Sequence, residues 1–122
     1  MISYLLLFAV LAWFISPAEA ASFDCAKAAK ADERAICATP DLSALDSEMG
    51  GLWFAFSKVP MLMGSNGARM DDAQAFLAQR AACGEDAACM RPLYHARIQT
   101  LKQGIVQAMQ DYARLQMGNP AQ

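Results

Sequence analysis

Four cysteines in two close pairs are the residues whose type and spacing most directly suggest chemistry. Cys25 and Cys37 have eleven residues between them, and Cys83 and Cys89 have five. Four thiolates could hold a zinc ion, but structural zinc sites usually place ~2–4 residues between paired ligands. Because these spacings do not fit zinc, the first interpretation is two disulfides in an oxidising compartment.

Other residue types with catalytic potential are few. His95 is the single histidine, so any triad of nucleophile, base and orienting group would have to use it. Asp71-Asp72 and Glu85-Asp86 resemble the carboxylate pairs of glycosidases. Both pairs stand at predicted helix starts, however, where acidic side chains complement the helix dipole. We therefore predict a non-enzymatic protein without catalytic residues, metal or cofactor, and with His95 on a helix surface.

The first twenty residues indicate the compartment. A nearly uninterrupted apolar run over 4–15 is followed by Ala18-Glu19-Ala20, whose small residues match the cleavage pattern of a signal peptide. The run is shorter than the ~20 apolar residues of a transmembrane helix. We predict that residues 1–20 are a signal peptide, cut before Ala21. The mature protein would then be periplasmic or secreted, with no stable membrane anchor.

Length and net charge limit the domain organisation and the kinds of binding partner that the sequence allows. Residues 21–117 suit one helical domain, and 118–122 form a C-terminal tail. The chain has 10 Lys and Arg against 12 Asp and Glu, and cleavage would remove only Glu19 among them. The mature net charge near −1 leaves no basic footprint for nucleic acid. So small a domain has a modest core and gains from covalent cross-links.

Helical spacing of apolar residues dominates the mature chain, and strand alternation is absent. We predict an all-α fold: a small antiparallel helical bundle or hairpin of about three main helices, stapled by two local disulfides. The first helix should start at Thr39-Pro40. The third should start near Arg91-Pro92, because proline is unfavourable inside a helix. Each predicted main helix carries one stripe of apolar residues at helical spacing. The three apolar stripes are Leu42, Leu45, Met49, Leu52, Trp53 and Phe56; Met70, Ala73, Phe76, Leu77 and Ala81; and Leu93, Tyr94, Ile98, Leu101, Ile105, Met109 and Tyr112.

Helix dimensions test the cysteine pairing. In straight helices the Cα atoms of Cys25 and Cys37 would lie ~18 Å apart, and those of Cys83 and Cys89 ~9 Å. A disulfide needs about 4.4–6.8 Å, so local pairing requires a turn within 30–33 and another after Gly84. Asp32 would then cap the short helix that leads to Cys37. Four cysteines allow three connectivities, of which the local one is favoured.

The segment 57–69 is predicted to be a loop, because it contains Pro60, Gly64, Asn66 and Gly67. It is unusually apolar, with Val59, Met61, Leu62 and Met63. Two interpretations follow. The apolar side chains either close one end of the core, which is the favoured one, or form a partner-binding loop.

The order of short motifs resembles the LprI-like lysozyme-inhibitor family. The first half carries Phe23-Asp24-Cys25, then Glu33-Arg34-Ala35-Ile36-Cys37, then Asp41-Leu42-Ser43-Ala44-Leu45-Asp46. The second half carries Gln79-Arg80, Cys83-Gly84, Cys89, Tyr94, Arg97-Ile98 and Leu101. This resemblance spans about 23–101 and implies a small, helical, disulfide-stapled module of the bacterial envelope. The family takes its name from a mycobacterial lipoprotein that inhibits lysozyme.

The chain departs from the family pattern at several positions. It lacks the lipidated cysteine, so membrane anchoring does not carry over. Phe76 stands where the family often has Trp, Ala81 stands where it often has Asp, and Pro92 is unusual. These differences leave the implied fold intact and weaken the case for a shared binding surface.

Four polar residues are embedded in the signatures, namely Asp46, Arg80, Tyr94 and Arg97. They could line a ligand site, but a charge-assisted network between helices is the favoured interpretation, since buried charges are normally paired. No ligand is needed to explain them.

Two function classes remain. The first is an inhibitor or binder of lysozyme-type cell-wall hydrolases, which would present Met61, Leu62 and Met63 as apolar anchors. The alternative is a structural or assembly protein of the envelope with no enzyme target, which would expose a flat apolar helix face and self-associate. The weak net charge argues against simple electrostatic capture of a basic lysozyme.

Overall fold

The structure is a computed structural model, and it describes residues 21–118. Within this range there are four α-helices and no strand: α1 (Ala31–Ala38), α2 (Pro40–Lys58), α3 (Met63–Ala82) and α4 (Ala87–Met117), preceded by a 3-10 turn at Cys25–Lys27. The all-α prediction is confirmed, but the helix number is four instead of about three. The predicted signal peptide, 1–20, and the tail beyond Gly118 lie outside the described residues.

Both disulfides are the predicted local ones. The Cα atoms of Cys25 and Cys37 lie 5.8 Å apart, and those of Cys83 and Cys89 lie 5.6 Å apart. The first bridge ties the 3-10 turn to α1, and the second ties the end of α3 to the first turn of α4. Gly84 makes the second possible, because its φ of +58° turns the chain back in a conformation that favours glycine.

The start of α4 corrects one prediction. The helix begins at Ala87, before the predicted start near Arg91-Pro92. The carboxylate of Asp86 accepts a hydrogen bond from the backbone N–H of Cys89 at 3.1 Å and so caps the first turn. Pro92 deprives only the carbonyl of Ala88 of its helical partner, and both residues lie on the exposed face, where water can replace it.

The predicted loop over 57–69 is also wrong in extent. Helix α2 continues to Lys58 and α3 begins at Met63, so the connection is only 59–62. The glycines and asparagine of the predicted loop lie in the first turns of α3. As a result, Asp71 and Asp72 sit in the middle of α3, and the helix-start explanation offered for them is wrong.

The core lies mainly between α2 and α4, with α1 and α3 packed against this pair. Phe56 of α2 and Gly104 of α4 mark a close approach, because a Cβ on Gly104 would come within 3.0 Å of the Phe56 ring. Only Phe76 and Arg80 of α3 are buried, so its predicted apolar stripe is partly exposed. The buried apolar side chains are Ile36, Leu42, Met49, Phe56, Val59, Phe76, Met90, Tyr94, Ile98, Leu101 and Ala108.

Removing each of the two disulfides separately should lower the stability of the fold by unequal amounts. Replacing Cys25 and Cys37 by Ser should lower the free energy of unfolding by about 3 kcal/mol. Replacing Cys83 and Cys89 by Ser should lower it by about 2 kcal/mol, because a bridge that closes a shorter loop restricts the unfolded chain less. Urea unfolding of the two double variants measures this order. A larger loss at Cys83 and Cys89 would contradict the loop-entropy explanation.

Candidate functional site: a buried polar cluster and an apolar groove

One polar side chain from each helix meets in the interior of the bundle. Asp32 comes from α1, Asp46 from α2, Arg80 from α3 and Tyr94 from α4. The Arg80 Nε donates to Asp32 Oδ2 at 2.7 Å, and its Nη1 lies 3.6 Å from Asp46 Oδ1. The Tyr94 hydroxyl donates to Asp46 Oδ1 at 2.7 Å. We call these four residues the buried polar cluster.

The cluster is sealed from solvent. Exposed fractions are 0% for Asp46 and Tyr94, 2% for Asp32 and 7% for Arg80. Burial raises the pKa of Tyr94, and the neighbouring Asp46 carboxylate raises it further. Burial lowers the pKa of Arg80, but its hydrogen bond to Asp32 and its contact with Tyr94 outweigh this, so the net shift is upward. These charges therefore join the helices and are not presented to a substrate.

The first described residues close over this cluster. The backbone N–H and the hydroxyl of Ser22 both donate to Asp46 Oδ2, at 2.7 and 2.6 Å. Gly50 permits this approach, since a Cβ there would lie only 2.5 Å from the Ser22 Cβ. The Phe23 ring lies 6.0 Å from the Arg80 guanidinium carbon, within the range of a cation–π contact. We call residues 21–24 the N-terminal strap.

Arg97 lies apart from the other three signature residues. Its Nη1 donates to Asp72 of α3, and its guanidinium lies 5.9 Å from the Trp53 ring centroid and 5.7 Å from that of Phe76. The structure thus brings Asp46, Arg80 and Tyr94 together and places Arg97 in a second contact between α3 and α4. It also explains Asp72, whose partner the sequence did not indicate.

The sequence interpretation did not identify two members of this region. Asp32 was expected to cap α1, but its side chain is buried against Arg80. Ser22 carried no expectation at all. The position of Arg80 one turn after Phe76 in an apolar stripe could have indicated that a carboxylate partner was needed, but not which one.

An apolar groove lies at the other end of the bundle, between the 59–62 connection and the last turns of α4. Its volume is about 360 Å³, and the Asp111–Arg114 ion pair contributes to its wall. It is lined by Pro60, Met61, Leu62, Ser65, Ala108, Asp111, Tyr112, Arg114 and Leu115. The lining is mainly apolar, with polar side chains from Ser65, Asp111 and Arg114, a mixture that protein interfaces also show.

The three predicted anchor residues have different surroundings. Met61 is half-buried and packs against the core. Leu62 lines the groove and is 66% exposed, whereas Met63 opens α3 at 92% exposure and does not line it. Val59 and Met61 therefore close one end of the core, whereas Leu62 and Met63 face outward.

The connection beside the groove is held in place by Arg69. The Arg69 Nη1 donates to the carbonyl of Phe56 and, at 3.1 Å, to that of Val59. Its Nη2 donates to the Asn66 side chain, and its guanidinium lies 5.2 Å from the Phe56 ring centroid. These hydrogen bonds tie α3 to the end of α2 and to the first residue of the connection, which restricts the four-residue segment that carries Leu62.

The structure also bears on His95, on metal binding and on membrane-spanning helices. His95 is exposed on α4, as predicted. Within residues 21–118, no three His, Cys, Asp or Glu side chains are grouped so as to hold a metal ion. None of the helices described here combines the length and apolar character that a membrane span requires.

Comparison of this chain with protein-family models, with curated proteins and with solved structures found no match.

Proposed function

We propose that this chain is an exported, non-enzymatic binding module of the bacterial envelope, found in the periplasm or secreted. Its partner is a lysozyme-type cell-wall hydrolase, which it binds through the apolar groove. Two local disulfides support the oxidising compartment. The order of signature motifs supports the class of partner, since it is the feature that resembles the LprI-like inhibitors.

The observation that carries this proposal is the exposure of Leu62 and Met63 next to the groove. Large apolar side chains at 66% and 92% exposure are poorly accommodated by water and are available to a partner. Arg69 fixes the backbone that presents them, which reduces the ordering cost of binding. Apolar anchors beside a groove can supply the desolvated contacts on which the affinity of an interface mainly depends.

The decisive variant replaces Leu62 and Met63 by Ser and leaves the half-buried Met61 unchanged. We expect binding to a c-type lysozyme to weaken at least about 30-fold, the effect of losing an interface hot spot. Helicity and both disulfides should be unchanged, because neither side chain is part of the core. Inhibition of cell-wall hydrolysis and biosensor binding provide the two measurements.

The matched control is Phe54→Ser, which removes an apolar side chain of 65% exposure on α2 and outside the groove lining. It should bind like the unchanged protein. Equal weakening by both changes would show that the groove is not the binding site. Failure of the unchanged protein to bind lysozyme at micromolar concentration would overturn the assignment of this partner.

A second function, self-assembly without an enzyme target, is favoured by the exposed apolar residues of α4. Val106, Met109, Leu115 and Met117 have exposed fractions between 53% and 78%. Sedimentation at increasing concentration distinguishes the two functions. The assembly function would be supported if the protein self-associates and Met109→Ser weakens this association, while the changes at Leu62 and Met63 do not.

A further inference from the structure

The buried polar cluster has an unequal number of charges. Asp32 and Asp46 contribute two carboxylates, and Arg80 contributes one guanidinium. Among residues 21–118, no other Lys or Arg lies within 4 Å of either carboxylate. Among residues 21–118, every hydrogen-bonding partner of Asp46 is a donor, which fits an ionised carboxylate. The buried region is therefore one negative charge in excess, which is costly without a compensating cation.

The N-terminal strap brings one particular nitrogen close to this excess charge. The backbone nitrogen of Ser22 lies 2.7 Å from Asp46 Oδ2. Bond lengths and angles keep successive backbone nitrogens within about 3.6 Å of each other, so the nitrogen of Ala21 lies at most about 6.3 Å from that oxygen. The Ala21 side chain is half-buried and packs against the core, so the strap places this residue firmly.

We propose that the α-ammonium group produced by cleavage before Ala21 supplies the missing positive charge and binds the Asp46 carboxylate. In the unprocessed chain this nitrogen is an uncharged amide, so cleavage itself creates the cation. Processing at this bond and charge balance in the core would thus be linked. The inference is independent of which partner the groove binds.

The charged groups around the Ala21 nitrogen determine whether the pKa of its amine is raised or lowered. Asp46 of α2 and Asp32 of α1 attract an ammonium, Arg80 of α3 opposes it, and Tyr94 of α4 stays protonated. The carboxylates outnumber the guanidinium, and an opposite charge within ~4–6 Å favours the charged form. The pKa of the Ala21 amine should therefore lie above the usual ~7.7–8.0 of an α-amino group.

The first test uses the full chain, exported by a bacterial host and purified from its periplasm. Intact mass should show a chain that begins at Ala21. Its α-amine is then acylated at pH 7.5, and modification is located by peptide mass. We expect acylation to be at least about fivefold slower in the folded than in the urea-unfolded protein, since at this pH a pKa raised by one unit reduces the free amine about sevenfold.

Two variants assign this protection to Asp46. Asp46→Asn should bring the folded acylation rate close to the unfolded rate. The control Glu48→Gln removes an exposed carboxylate of the same helix and should leave the slow rate unchanged. An N-terminus other than Ala21, or equal rates in folded and unfolded protein, would overturn the proposal.

A second measurement needs no substitution and so remains decisive if Asp46→Asn fails to fold. A raised amine pKa stabilises the fold fully below the unfolded pKa of ~7.7–8.0, and this contribution is lost as pH rises through the folded pKa. The free energy of unfolding should therefore fall between pH 8 and about 9.5. The same protein acylated at its α-amine while unfolded, then refolded, should lack this fall. Identical pH profiles for the two forms would contradict the proposal.

Discussion

Replacing Arg80 by Met should lower the free energy of unfolding by about 3–5 kcal/mol, the largest loss that we expect from a single substitution in this protein. Arg80 is 7% exposed and is the one guanidinium between the carboxylates of Asp32 and Asp46. Methionine fills a similar volume, so the expected loss comes mainly from removing the guanidinium that both buried carboxylates share. Urea unfolding followed by circular dichroism measures it.

Two further variants distinguish this explanation from lost packing. Arg91→Met removes an ion pair with Asp41 in which both side chains are about half exposed, and its effect should be much smaller. Adding Asp32→Asn to Arg80→Met should restore part of the lost stability, because one unpaired charge is removed. If the second change gives no recovery, packing and not charge explains the Arg80 result.

Alanine at two adjacent glycines should change stability in opposite directions. A Cβ at Gly50 would lie 2.5 Å from the Ser22 Cβ, whereas a Cβ at Gly51 meets nothing within 4 Å. Gly51→Ala should raise the free energy of unfolding by up to about 1 kcal/mol, the usual gain from replacing glycine in a helix. Gly50→Ala should lower it by about 1–3 kcal/mol, because Ser22 must leave Asp46.

This pair of substitutions is its own control, since both add the same methyl group to the same helix. Thermal and urea unfolding give the two signs. Proteolysis near the N-terminus offers a second observable, because the displaced strap of Gly50→Ala should be cut faster. Stabilisation by both substitutions would show that the strap does not depend on Gly50.

Sequence periodicity predicted the parts of the fold that depend on local pattern. The stripes containing Leu42, Phe76 and Leu101 correspond to α2, α3 and α4, and the local disulfides followed from turn signals. The boundaries were less successful. Asp86 caps α4 six residues before the proline that was expected to start it. Glycines contributed to the predicted loop over 57–69, but 63–69 is the start of α3, and its Arg69 bonds back to the 59–62 connection.

In the candidate sites, contacts between residues far apart in the sequence could not be predicted. The signature motifs indicated Asp46, Arg80 and Tyr94, but neither their mutual geometry nor their burial. Asp32 meets Arg80 across 48 positions and Ser22 meets Asp46 across 24, and no local pattern encodes such pairs. The groove likewise depends on how the end of α4 lies against the 59–62 connection, which only the packed helices determine.

The short separations of the paired cysteines have a consequence for how the chain acquires its covalent structure. Cys37 follows Cys25 by 12 residues and Cys89 follows Cys83 by 6, while Cys83 follows Cys37 by 46. A chain that enters an oxidising compartment N-terminus first offers each thiol its native partner before any competitor arrives. Loop closure takes only about 10–100 ns, but forming a disulfide takes seconds or longer. Order of emergence would therefore favour the native pairs in an exported chain when the oxidant joins Cys25 to Cys37 before Cys83 appears, which reduces the need for an isomerase to correct errors.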